Sequence, residues 1–215
     1  MKADTAPDSC APRGHDEKRA LIVKTAADVF VREGYAGANI DLIAAQAGVS
    51  RQTIYNHHGD KEALFIAVVR ELAERSSAGY FETISTFPDH PGDLQADLAA
   101  FAVRLNRNCI CNRDGMFLRR LVQAEGERYP DLFAGWRDQG PARSSAALAA
   151  HFARLAHSGH LDIDDPDLAA RQFLALINAD LHMSMIFGTI PDDETLRVSA
   201  TNAVRTFLRA FRPGS

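Results

Sequence analysis

Apolar residues recur along this chain at helical spacing from its first ordered pattern to its last. Ile22, Ala26, Val29 and Phe30 stand at i, i+4, i+7 and i+8, and Gly34 supplies a stop. Asn39 can cap a second helix whose inward face is Ile40, Ile43, Ala44 and Ala47. Gly48 then breaks the pattern, and Ser50 caps a third helix that reaches Asn56 or His57. Asp60 caps a fourth, with Leu64, Phe65, Val68, Val69 and Leu72 on one face, running to about Ser85. The Pro-, Gly- and Asp-rich stretch "STFPDHPGD" is the clearest break. Beyond it the pattern predicts helices over Asp93–Cys111, Gly115–Arg128, Asp131–Gln139, Ala142–Ser158, Asp167–Phe187 and Asp192–Phe211. Gly140-Pro141 should end one helix and start the next. No segment alternates with period two. The predicted fold class is all-α.

Composition narrows the picture without naming a function. The chain has 215 residues, 46% hydrophobic and 24% charged, with a net charge of −4. No apolar run approaches a membrane span, and the N-terminus lacks a signal-peptide core, so a cytoplasmic protein is expected. Three cysteines argue against a disulfide framework, and Cys109 and Cys111 read as small buried hydrophobes. The segment Arg13–Leu64 carries seven basic and seven acidic residues. Any nucleic-acid binding must therefore come from placed groups and not from a general basic field.

The stretch "AGVSRQTIYNHHGDKEAL" raises the functional question. It describes a short polar helix between two turns, with Arg51, Gln52, Thr53, Asn56 and His57 pointing outward. A helix so short is marginal alone, and these side chains add nothing to a core. Two short helices joined tightly at Gly48, with Ala44, Ala47 and Val49 at the crossing, form a helix-turn-helix whose second member enters a major groove. "IDLIAAQAGVSRQTIYNHHGDKEALF", together with the leading "IVKTAADVFVREGYAGANI", resembles the signature of TetR-type bacterial transcription regulators. The resemblance implies phosphate contacts through Tyr55 and Lys61, with Asn39 adding another, and groove contacts through Arg51, Gln52, Thr53, Asn56 and His57. Arg51 suits guanine, and Gln52 or Asn56 suits adenine. The family commonly has phenylalanine at the position of His58. A histidine there either packs as a neutral ring, loosens the junction or makes it pH-sensitive.

The later half, from "FLRRLVQAEGERYPDLFAGW" to "LINADLHMSMIFG", is similar to the regulatory domain of the AefR-like branch. That implies a helical domain that senses a ligand and dimerises. The expected organisation is a flexible tail (1–15), a helix-turn-helix domain (16–62) and a ligand-sensing and dimerisation domain (63–211). Polar residues among apolar stripes, Asn106 or Asn108, Gln123, Asn178 and His182, either find internal partners or orient a ligand. The expected ligand-binding residues are Phe101, Met116, Gln123, Trp136, Asn178, His182 and Met185, with Phe152 beside them. Adjacent helical arginines such as Arg119 and Arg120 point about 100° apart, so at most one faces inward. Glu125 or Glu127 are the expected partners, and no carboxylate ligand is expected.

Catalysis finds no support in the pattern. His157 and His160 are separated by Ser158-Gly159, His57-His58 cannot chelate one metal from one face, and no hydrolase, zinc or phosphate-loop motif occurs. No cofactor or metal is expected. The sequence reads as a ligand-responsive repressor that binds a palindromic double-stranded DNA operator as a homodimer and is released by an apolar or aromatic small-molecule effector. The rival readings are a constitutive DNA-binding regulator whose later half only dimerises, and a small-molecule binding protein without operator recognition.

Overall fold

The computed structural model describes residues 12–213. Among these, eleven α-helices and one π-helical turn make up the regular structure, with no strand. Most of the expected tail, including Cys10, lies outside the described residues, and the first helix already begins at Pro12. The chain divides into two compact units between Glu71 and Leu72, inside the fourth helix.

The N-terminal unit follows its capping residues closely. Helix α1 (Pro12–Gly37) is interrupted at Gly34, whose φ of 69° ends the helical path where the apolar stripe ends. Asn39 caps α2 (Ile40–Ala47), accepting the Asp41 N–H at 2.8 Å. Gly48 adopts the left-handed conformation (φ 65°, ψ 30°) and returns its N–H to the last turn of α2. Ser50 Oγ accepts the Thr53 N–H at 3.0 Å and opens α3 (Arg51–His58). Asp60 accepts the Ala63 N–H at 2.7 Å and opens α4 (Lys61–Ile84). Ile22, Val29, Phe30, Ile43, Ile54, Leu64 and Phe65 are fully buried, and Phe65 meets Phe30 and Tyr35 edge-on, with centroids 5.2 and 4.9 Å apart.

The second unit holds α5 (Leu94–Ile110), α6 (Arg113–Glu125), α7 (Pro130–Arg137), α8 (Arg143–His157), α9 (Pro166–Ala179), α10 (His182–Phe187) and α11 (Asp193–Phe211). Its core is a run of aromatic contacts, Phe87–Phe101, Phe87–Phe152, Phe152–Phe173 and Phe173–Phe207, at centroid separations of 5.0–5.4 Å. Helices α5, α8, α9 and α11 supply most of it.

Two expectations fail here. The helix predicted over Asp167–Phe187 stops at Ala179, and α10 starts anew at His182. Asn178 donates its side-chain N–H to the Leu174 carbonyl at 2.7 Å, competing with the helical ladder. The resulting turn buries Leu181 completely against Ile110 and Leu196. Gly140-Pro141 does not separate two helices either. Asp138–Ala142 forms a π-helical turn joining α7 to α8, the wider turn accommodating the N–H that Pro141 lacks. Gly140 is needed for close approach: a Cβ there would lie 2.9 Å from Ser77 Oγ of α4.

Candidate nucleic-acid interface

Helix α3 buries only Ile54 and His58, and Arg51–Tyr55 and Gln52–Asn56 are paired by hydrogen bonds along its outer side. Arg51 donates to the Tyr55 hydroxyl from Nη2 at 3.0 Å and from Nε at 3.2 Å. Its Nη1 reaches the carboxylate of Asp41 on α2 at 3.2 Å. Both partners raise the guanidinium's pKa, Tyr55 more than Asp41. Gln52 donates to Asn56 Oδ1 at 2.9 Å, one helical turn on. Thr53 shares a hydroxyl contact with Ser50 at 2.8 Å, and His57 is half-buried.

Two of the expected phosphate contacts, Asn39 and Lys61, sit at helix starts. Asn39 is exposed but spends its Oδ1 on capping α2. Lys61 opens α4, half-buried, with Nζ donating to the Ala36 carbonyl at 3.3 Å and lying 4.8 Å over the Tyr35 ring. Its ammonium keeps further donors beyond that one bond. All eight expected DNA-contact residues thus fall within the α2–α4 segment or at its caps. Asp41 was missed by sequence reasoning. It is ten residues from Arg51, and no local spacing pairs an α2 side chain with one on α3.

His58 is buried, 8% exposed, and its pKa is lowered to about 4, first by burial and then by the charges of Arg19 and His57. It packs as a neutral ring in the position expected of an aromatic. The junction is therefore filled, and its sensitivity to pH is confined to acid conditions.

The seven expected ligand-binding residues differ in their surroundings. Gln123 and His182 are exposed. Gln123 lies two residues past Leu121, on the opposite side of α6 from its buried face of Phe117, Leu118 and Leu121. His182 follows the break after α9. Phe101 is fully buried and packed between Phe87 and Phe173; Phe152 is likewise fully buried. Asn178 is tied to Leu174. Met116, Trp136 and Met185 are half-buried. Surface hollows of about 260 and 400 Å³ near Asp93 are lined by none of the seven. Asn106 is fully buried and donates to the Ile177 carbonyl at 2.9 Å, while Asn108 donates to Gly79 and Thr83 of α4. Arg119 turns inward as one of the two adjacent arginines must. Among the described residues it has no carboxylate partner, so the expected pairing with Glu125 or Glu127 is corrected. Among the described residues no cluster of His, Cys, Asp and Glu is arranged to hold a metal, and no helix is long and apolar enough to cross a membrane.

A helix-turn-helix presenting a polar second helix, followed by a separate helical unit, defines a DNA-binding transcription regulator. Sequence comparison makes the assignment specific. Residues 22–68 match the model for bacterial regulatory proteins of the tetR family, and residues 96–213 match that of the AefR-like transcriptional repressor C-terminal domain. The chain belongs to the TetR family of transcription regulators and carries an AefR-like C-terminal domain.

Relatives place it further. The transcriptional activator FasR of Mycolicibacterium smegmatis is 35% identical over 86 residues, a match spanning 40% of this chain but only 39% of FasR. The transcriptional repressor Rv1474c of Mycobacterium tuberculosis is 26% identical over 81% of this chain and 85% of its own. A TetR-family regulator from Mesorhizobium loti superposes with a TM-score of 0.79 at 28% identity, covering 93% of this chain and 98% of that one. The flavonoid-responsive regulator FrrA superposes at 0.67 with 26% identity, covering 93% and 100%.

Proposed function

We propose that this chain binds a palindromic operator as a homodimer and releases it when a small molecule occupies the second unit. The observation that carries the DNA-binding half is α3 itself: a helix buried through Ile54 and His58 alone, with its polar face pre-ordered by the Arg51–Tyr55 and Gln52–Asn56 hydrogen bonds. Arg51, Gln52, Thr53, Asn56 and His57 read base edges, while Tyr55, Lys61 and Asn39 hold phosphates. Arg51 exchanges its Asp41 carboxylate for guanine O6 and N7 on docking. The neutral charge balance of the segment makes these placed contacts, and not a field, the source of affinity.

A second copy of the chain covers the exposed apolar side chains Met183, Ile186, Phe187, Ile190 and Val198. Such large apolar groups, exposed between residues 183 and 198, are what a partner surface buries. Two α3 helices then meet two half-sites one helical turn apart. Release follows because α4 runs unbroken from Lys61 into the second unit. A ligand that favours another position of α4 favours another spacing of the reading helices. The flavonoid responsiveness of FrrA supports a small-molecule effector in this architecture.

The test is a footprint of the full-length protein on DNA upstream of its own gene, at several salt concentrations. Protection of two half-sites about 10 base pairs apart is expected, with log affinity falling linearly with log salt. Binding that ignores sequence, or no binding, refutes the operator reading. Binding that no small molecule in a metabolite screen relieves leaves a constitutive regulator.

A further inference from the structure

Most charged side chains of the second unit lie at the surface, but Arg119 turns inward from α6. Its Nε and Nη2 atoms are out of contact with solvent and, among the described residues, have no hydrogen-bond partner. Those two N–H groups form the side-on fork of a guanidinium, the edge that takes both oxygens of a carboxylate. The same edge is in use elsewhere in this unit. Arg154 grips Asp89 through Nε at 3.1 Å and Nη2 at 3.2 Å, and Arg197 grips Glu194 at 2.9 and 2.5 Å.

Among the described residues no carboxylate pairs with Arg119. Its Nη1 points at the Cys109 sulfur, 3.9 Å away. Burial pushes the Cys109 thiol up, so the sulfur is neutral near pH 7 and no counter-ion. Asp114, five residues earlier on α6, is engaged by Arg75 of α4 at 3.0 Å. Two guanidinium N–H groups shut off from solvent without an acceptor are costly, and such groups mark a place where a ligand can supply the acceptor.

The surroundings suit a small organic acid. Ser76 Oγ, the Cys109 carbonyl oxygen and Arg119 Nη1 all lie within 3.7 Å of the point where a Gly115 side chain would begin. The guanidinium therefore sits where α4, α5 and α6 meet. Met116, three residues before Arg119, shares its face of α6 and is half-buried. We infer that the fork of Arg119 binds the carboxylate of a small, otherwise apolar organic acid at the junction of α4, α5 and α6. This rests on the reading of the second unit as a sensor. Because Arg75 and Ser76 belong to α4 and Asp114 and Arg119 to α6, an acid seated there ties the two helices together.

The experiment uses the full chain and a panel of benzoate, phenylacetate and octanoate, each beside its primary amide, with inorganic phosphate as a further arm. Thermal shift and calorimetry read binding, and gel retardation on upstream DNA reads release. At least one acid should raise Tm and bind at least tenfold tighter than its amide. R119M and R119K should abolish the shift, R119K because an ammonium cannot supply the fork. R120M should keep it. Ligand-free R119M should melt at or above the wild type, since the substitution removes two solvent-shielded N–H groups that have no partner among the described residues. Where R119M melts lower, R119K decides, and full retention of affinity in R119K overturns the site. So does a panel in which no acid binds, in which amides bind as well as acids, or in which only phosphate binds. If the wild type still retards its DNA in those cases, only the acid site falls; if it does not, the regulator reading falls with it.

Discussion

His58 links the stability of the N-terminal unit to pH through one buried side chain. Its pKa in the folded chain is about 4, against an ordinary value of 6.5. Between those values the unfolded chain takes up a proton that the native ring refuses, so stability falls as pH falls from 6.5 towards 4. The loss amounts to about 2 kcal/mol at pH 5. Urea unfolding of H58F should show higher stability at pH 5 and a flatter profile between pH 7.5 and 5. A variant with the wild-type pH slope would show that another group is responsible. At the DNA surface the roles divide by chemistry. Lys61→Ala should weaken binding to all sequences alike and reduce the salt slope by about one. Arg51→Ala should relax preference at one base pair by roughly 1–3 kcal/mol. Competition titrations against operator and scrambled DNA separate the two, and an unchanged slope for Lys61→Ala would remove Lys61 from the phosphate contacts.

At the scale of elements, the turn between α2 and α3 depends on one backbone conformation. Gly48 has φ 65°, and a Cβ placed there meets nothing within 4 Å. The cost of Gly48→Ala is therefore backbone strain alone, about 1 kcal/mol, with no steric contribution. Gly48→Asn should cost less, because asparagine tolerates the left-handed region better. Denaturation midpoints of the two variants check the order. The break after α9 and the π turn at Asp138–Ala142 are decisions of the same kind made by packing. Leu181 gains a buried site against Ile110 and Leu196, and Gly140 lets the chain pass close to Ser77.

For the whole molecule, the separation between core and proposed partner surface makes a sharp contrast in mutants. Val204 is fully buried within its own unit, whereas Phe187 is 66% exposed. Val204→Glu must bury a charge among apolar groups and should unfold the second unit. Phe187→Glu, alone or with Val198→Glu, should leave circular dichroism unchanged but yield monomers in sedimentation. With only one half-site engaged per molecule, operator affinity should fall by the avidity that linkage supplies, about 10²-fold or more. A dimer that survives both exposed charges would place the interface elsewhere.

The helical period, the caps and the motif were legible because they are local. Asn39, Ser50, Asp60, Asp93 and Asp192 each accept a backbone N–H two or three residues on, and such spacing is visible in a string of letters. So was the outward face of α3, which follows from period and polarity together. Tertiary structure alone decided the rest: that Asp41 holds Arg51, that Asn178 breaks a helix to bury Leu181, that Phe101 is core while Gln123 and His182 face outward, and that Arg119 turns inward with its fork unpartnered. Each depends on residues brought together from different helices. Periodicity specifies which face of a helix is apolar. The partner that each polar side chain on that face meets is set by how the helices pack against one another.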